Sequence, residues 1–462
     1  MDATYLFAKN FRSMAYEDLP AEIVEITKKE ILDTLGVALA GFSQPGPKEL
    51  REIVQGWGGT EESSMIGCKQ RVPAPNAAQV NATMVHARDY DDVHETAVMH
   101  PGVVSIPTAL ATAELKQGLS GREFITAVTL GVDMICRLGL ATRPGVSPIK
   151  TGWHFTTLYG YPTAALTAGR ILGLDEDKLV NAFGIAYHQC SGNGQCVKDG
   201  ALTKRLGPGF AVRGGLTAAL MADKGLTGAR NCLEGEEGLF KVYHCGGYHR
   251  ETLVHGLGTH FEGINVSIKP YPCCRGVHPS IDAALAVVNA NRIKAEDVKQ
   301  ITIATGAPNH DLLCTPFERK TRPRNPVDAQ FSIPWGVAVA MAHGRVTTND
   351  FTEAAIKDKE LLGLTALITA EVNPEFNHFE KGMEPARVTV MTKDGKSHSA
   401  QVGSPLGSPE RPMSFEDCAR KFEDCVCISE YELPEEKMKR VIDLISGFER
   451  LKDVRELISL LV

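Results

Sequence analysis

Pro162-Thr-Ala-Ala-Leu-Thr-Ala-Gly-Arg-Ile-Leu172 is alanine-rich and carries one glycine, so a helix there lets its neighbours approach closely. Residues 210–224, Phe-Ala-Val-Arg-Gly-Gly-Leu-Thr-Ala-Ala-Leu-Met-Ala-Asp-Lys, repeat that composition. Such small-residue helices belong inside an all-helical core.

Upstream, the punctuation agrees. Pro20 can occupy the first turn of a helix that carries Ile23, Ile26, Ile31, Leu32 and Leu35 on an apolar side and stops at Gly41. Ser120 and Glu123 have capping-box spacing ahead of Phe124 to Leu138, and another helix should start after Asp175. From about residue 260 the pattern changes. Gln300 to Thr305 alternates apolar and polar residues, and Arg387 to Val402 alternates around Asp394-Gly395, a strong hairpin signal. Helical stretches at Ser280 to Asn291 and Pro334 to His343 lie between them, so this part reads as α+β. A loop from Gly403 to Pro412 then leads to two amphipathic helices, Phe415 to Phe422 and Glu435 to Leu461, which can return to the first domain. A chain of 462 residues is expected to form two domains, a larger and a smaller.

Composition excludes several function classes. A net charge of −7 disfavours a broad nucleic-acid or anionic-membrane surface, so an anionic substrate requires a local basic pocket. No uncharged apolar run approaches the roughly 18 to 20 residues that span a bilayer, and Met1-Asp-Ala-Thr-Tyr5 lacks the pattern of a secretory signal, so a cytoplasmic location is expected. The twelve cysteines form no C-x-x-C pair and are expected to be reduced thiols. Gly192-x-Gly194 and Gly256-x-Gly258 lack the third glycine of a dinucleotide fingerprint, and neither a Walker sequence nor a Gly-x-Ser-x-Gly elbow occurs.

Four stretches carry chemistry. The densest is His86-Ala-Arg-Asp-Tyr-Asp-Asp-Val-His94, with His100-Pro101 beyond it. If it is helical to about Asp92, His86 and Asp89 share a face, and Pro101 opens a helix whose positive end, near His100, favours a substrate carboxylate. The same residues also read as a solvated charged turn, or as metal ligands, although no standard zinc or calcium spacing is met. His154, between Trp153 and Phe155, is either a buried hydrogen-bonded histidine or an acid/base group. Lys204-Arg205 before Gly207-Pro208-Gly209 places a cation ahead of a loop-to-helix transition, which suits anion capture; a surface lysine is the plainer meaning. Lys269-Pro-Tyr-Pro-Cys-Cys-Arg275 is held extended by its prolines, either to aim Lys269 and Arg275 or as a rigid connection.

These residues, with Asp33-Thr34-Leu35-Gly36, Gly152-Trp153-His154, Asp328-Ala329-Gln330-Phe331-Ser332-Ile333-Pro334 and Gly407-Ser408-Pro409, resemble the MmgE/PrpD family along nearly the whole chain. That family includes 2-methylcitrate dehydratase, cis-aconitate decarboxylase and iminodisuccinate epimerase. The resemblance implies a mainly α protein, with a large all-helical domain from residues 1–260 and 405–462 and a smaller α+β lid from 261–404. It also implies a homodimer, a site between the domains, and neither metal nor organic cofactor. Site residues carried over are Asp89, His100, His154, Lys204 and Lys269. Val93 stands where members often have Thr, and Trp335 where they commonly have Tyr.

The shared chemistry is proton transfer at a carbon next to a carboxylate. Lys204, Lys269 and Arg275 are then the carboxylate clamp, His154 and His100 the acid/base pair, and Asp89 the group that orients one of them; a desolvated lysine is an alternative base. The expected activity is a cofactor-independent lyase, a dehydratase or decarboxylase of a di- or tricarboxylate. Alternatives are an epimerase of a similar acid and a non-catalytic helical interaction protein.

Overall fold

Small residues set the helix spacing of the first unit. In the computed structural model, which describes residues 1–142, 151–377 and 383–462, eight helices carry most of that unit. They are α1 (Ala21–Gly41), α2 (Ala74–Val85), α3 (Gly102–Lys116), α4 (Gly121–Ala141), α5 (Phe155–Leu172), α6 (Glu176–Tyr187), α7 (Thr203–Asp223) and, near the C-terminus, α8 (Phe415–Cys427). The unit comprises Met1–Ala87, Asp91–Val266 and Ser414–Val462. α5 packs against α3, α4, α6 and α7. A Cβ added at Gly215 of α7 would stand 2.5 Å from the Tyr161 carbonyl oxygen and 2.6 Å from Ala164 Cβ, so only glycine permits this approach.

Local signals place several ends correctly. Ser120 and Glu123 form the capping box of α4, and Asp175 caps α6 by accepting from the Lys178 amide. Pro20, expected inside the first turn, is the N-cap of α1. By length and composition α4 could cross a membrane, although Asp133 and Arg137 interrupt its apolar run. Its apolar window is 94% buried. The Arg137 guanidinium donates to Asp133 at 2.8 Å and to the His255 carbonyl at 2.8 Å, so the interrupting charges are satisfied within the core.

Two expectations need correcting. α7 begins at Thr203, so Gly207-Pro208-Gly209 is helical and not a loop; Gly207 and Gly209 lie where a Cβ would strike Thr157 Oγ1 and Thr83 Oγ1. Glu435 to Leu461 is not one helix. It divides into α9 (Glu435–Ser446) and α10 (Arg455–Leu460), because the chain turns at Gly447 to set Phe448 edge-on against Phe124, ring centroids 5.4 Å apart.

The second unit is Arg88–Tyr90 with Ser267–Met413. Numbered on from the first unit, its helices include α11 (His278–Asn291) and α12 (Ile333–His343), and its sheet has strands β1 (Val298–Thr305), β2 (Ile368–Val372), β3 (Ala386–Thr392) and β4 (Ser397–Val402). The order is β2-β1-β3-β4, with β1 parallel to β2 (Ile301 opposite Ile368) and the other pairs antiparallel (Thr302 opposite Thr389, Val388 opposite Ala400). In β3 Ala386, Val388, Val390 and Thr392 are buried while their neighbours are not, which is the period-2 pattern read in the sequence. β2 escaped that reading because Ile368 is its only buried residue. α11 covers β3 and β4, and α12 packs on α11. Trp335 is fully buried in α12, and its indole N–H donates to the Asp350 carbonyl at 3.0 Å.

Candidate active site

In the first unit the site is made by the way α2 ends. After Val85 the chain tightens into a 3₁₀ turn, His86–Arg88, and Asp89 takes φ +52°, a left-handed conformation that aspartate tolerates. The helix does not continue to Asp92, and His86 and Asp89 do not share a helical face. The turn instead puts Asp91 beside His86, with Nδ1 2.6 Å from Asp91 Oδ2 and both side chains fully buried. His100 Nδ1 lies 3.4 Å from the same Oδ2 and donates to the Asp92 main-chain carbonyl at 2.7 Å. Donation to a carbonyl and a carboxylate fixes the Nδ1–H form of each ring and leaves Nε2 as the basic nitrogen. Asp91 thus lies beside both His86 and His100.

The N-terminus of α3, expected to attract a substrate carboxylate, is occupied by the protein itself. Pro101 is its N-cap, and the Gly102 amide donates to Asp92 Oδ2 at 2.9 Å. A Cβ at Gly102 would meet Asp92 Oδ1 at 2.8 Å, which is why glycine opens this helix.

His154 is the N-cap of α5, its amide donating to the Gly192 carbonyl and its Nδ1 2.8 Å from Thr157 Oγ1. The His86 ring centroid is 4.9 Å from that of His100 and 5.8 Å from that of His154, so three imidazoles stand around one carboxylate. Burial lowers the His154 pKa well below the ordinary 6.5, and the charges of His86, Lys204 and His100 lower it further while Asp91 opposes them. Its sequence neighbours contribute to other contacts: Trp153 meets Tyr243, and Phe155 meets Tyr159 and His244. Lys204, in the first turn of α7, is buried. The unit therefore holds His100, His154 and Lys204 of the expected set, together with His86 and Asp91, which belong to the densest stretch but not to the residues carried over as the site.

His86, Asp91 and His100 each offer a metal-ligating atom, all within 4.8 Å of one another. The short contact argues for a shared proton instead. Ligands about 2.0–2.1 Å from one tetrahedral ion lie about 3.3 Å apart, whereas His86 Nδ1 and Asp91 Oδ2 are at hydrogen-bond distance, 2.6 Å.

The second unit holds Asp89, Lys269 and Arg275. Lys269 is 1% exposed; its ammonium donates to the Asp89 carbonyl at 2.9 Å and lies 3.6 Å from Asp89 Oδ2. Arg275 donates to the Leu406 carbonyl at 2.9 Å and to His278 Nδ1 at 3.0 Å. His278 Nε2 is 3.3 Å from the Cys273 carbonyl, so this ring is neutral with its proton on Nε2. Burial, then the Arg275 and Lys269 charges, hold its pKa well below 6.5. The Pro-flanked segment is also pinned by Tyr271, which donates to Asp282 at 2.6 Å, and by Tyr90, which donates to the Pro270 carbonyl.

The helical unit carries a buried, carboxylate-ordered histidine cluster, and the α+β unit carries the buried cations Lys269 and Arg275. The chain belongs to the MmgE/PrpD family: residues 6–251 match the MmgE/PrpD N-terminal domain and residues 271–446 the MmgE/PrpD C-terminal domain. It is similar to cis-aconitate decarboxylase of Aspergillus terreus, 28% identical over 97% of this chain and 94% of that protein. It is 25% identical to human cis-aconitate decarboxylase over 99% of this chain and 94% of that protein. To 2-methylcitrate dehydratase of Salmonella typhimurium it is 24% identical over 82% of this chain and 81% of that protein.

Proposed function

We propose that this protein is a lyase, a decarboxylase or dehydratase that acts on a di- or tricarboxylate by proton transfer next to a carboxylate and requires no cofactor. The observation that carries the reading is the placement of His86 and His100 on one buried carboxylate, Asp91, with the His154 ring beside them. An imidazole kept neutral by burial can accept a proton, and one backed by a carboxylate can hold it as imidazolium and return it. In dehydration a base takes the proton on the carbon next to the carboxylate, and an acid protonates the departing hydroxide. In decarboxylation the C–C bond breaks to release carbon dioxide, and an acid protonates the carbanion. Dehydration needs a basic and an acidic nitrogen, decarboxylation an acidic one, and both need a cation for the substrate charge; Lys204, Lys269 and Arg275 are assigned that last role. The relatives' activities support this reading, since they include one reaction of each kind.

The test is to incubate the purified chain with a panel of polycarboxylates and read product mass and chirality. A product lighter by water or carbon dioxide is expected. An isomer of unchanged mass would replace the lyase reading with the epimerase one, and no turnover of any panel member would refute both.

A further inference from the structure

Thr157 is buried in the first turn of α5, and among the described residues its hydroxyl has one hydrogen-bond partner, His154 Nδ1 at 2.8 Å. We propose that Thr157 is a positioning residue for His154: its hydroxyl oxygen accepts from Nδ1–H and so leaves Nε2 as the nitrogen that takes up a substrate proton. The proposal rests on the reading above in which His154 accepts a proton.

A neutral imidazole carries one N–H, and only its other nitrogen is basic. At His86 a carboxylate makes the choice, and at His100 a main-chain carbonyl. At His154 Nδ1 the group in contact is a hydroxyl, which accepts without adding a negative charge. A carboxylate in that place would favour the imidazolium and raise the pKa, whereas a hydroxyl orients the ring and leaves it neutral. The charged and titratable groups acting on this ring are His86 and Asp91 beyond α2, His100 ahead of α3 and Lys204 of α7; Asp91 alone among them favours the imidazolium. When Nε2 takes the proton of a substrate C–H bond, the electron pair stays on the carbon, and Nδ1–H keeps its contact with Thr157 before and after the transfer.

Packing holds the threonine in place. A Cβ at Gly192 would stand 2.6 Å from Thr157 Cβ and Cγ2, and one at Gly207 of α7 would stand 2.4 Å from Thr157 Oγ1, so backbone presses on this side chain from two segments. The Gly192 segment is tied to that of His154, whose amide donates to the Gly192 carbonyl at 3.2 Å, while the Gly194 amide donates to the Gly152 carbonyl at 2.7 Å. Thr156, one residue earlier, accepts the His100 amide at 3.0 Å. The first turn of α5 therefore registers both histidines.

Thr157→Val keeps the shape and removes the acceptor, and Thr157→Ser puts a hydroxyl back. Imidazole ¹⁵N NMR of the full chain at about pH 8 reads the His154 tautomer without substrate, so a failed lyase reading would show as absent turnover with the tautomer result intact. The parent and T157S should carry the proton on Nδ1. T157V should lose that pattern, because a buried N–H without an acceptor is costly, and its kcat should fall about 10-fold with KM within about 2-fold. T157S should stay within about 3-fold of the parent in kcat. A parent ring protonated on Nε2 would mean that the hydroxyl donates, and would overturn the proposal; so would an unchanged Nδ1–H pattern in T157V or its loss in T157S. If T157V does not fold, T157A makes the same comparison.

Discussion

Asp91→Asn tests the histidine site most directly. The substitution keeps shape and removes the charge that accepts His86 at 2.6 Å and stands 3.4 Å from His100. A hydrogen bond to a charged group contributes about 1.5–3 kcal/mol, and the longer second contact adds a fraction of that. If this is spent on holding the imidazolium that forms during proton transfer, about 2–3 kcal/mol is lost from the barrier-lowering. At about 1.4 kcal/mol per decade, kcat should fall about 30- to 150-fold. Folding should change by less than about 1 kcal/mol, because an amide oxygen can still accept from His86 Nδ1. Asp91 also raises the His154 pKa, so its loss should carry the acidic limb of the pH–rate profile to lower pH. The assay is turnover of the panel substrate from about pH 4 to about pH 9, with denaturant unfolding alongside. Activity within about 3-fold of the parent in a folded variant would refute the argument that Asp91 organises the acid/base pair.

His154→Gln keeps a hydrogen-bonding side chain and removes titration, so exchange of substrate hydrogen with deuterated water should fall about 100-fold or more; unchanged exchange would pass the role of base to His86 or His100. Because His154 is held neutral when folded, the parent should also lose stability as pH falls below 6.5, and the variant should lose less; equal curves would contradict its buried, depressed state. Lys269→Ala breaks a buried pair and leaves Asp89 charged and buried, which should cost about 3–5 kcal/mol of folding stability. Stability within about 1 kcal/mol together with lost turnover would instead mean that Lys269 acts mainly on substrate.

Much of this protein was legible along the chain because its signals are local. The Ser120/Glu123 capping box, the Asp175 cap and the Asp394-Gly395 hairpin each depend on residues a few positions apart, and each is where the sequence puts it. His154 and Lys204 entered the candidate site through the family resemblance, since each stretch by itself reads equally as a buried histidine or a surface lysine. The meeting of both histidines with Asp91 was not local. It turns on φ +52° at Asp89, which ends the helical register and hands His86 and His100 to Asp91. The role of Asp92 at the start of α3, the buried Lys269–Asp89 pair and the helical course through Gly207-Pro208-Gly209 were likewise decided by packing. Propensity and capping act over one helical turn; which buried acid meets which base is set where segments distant in the chain are pressed together and every desolvated charge must find its counterpart.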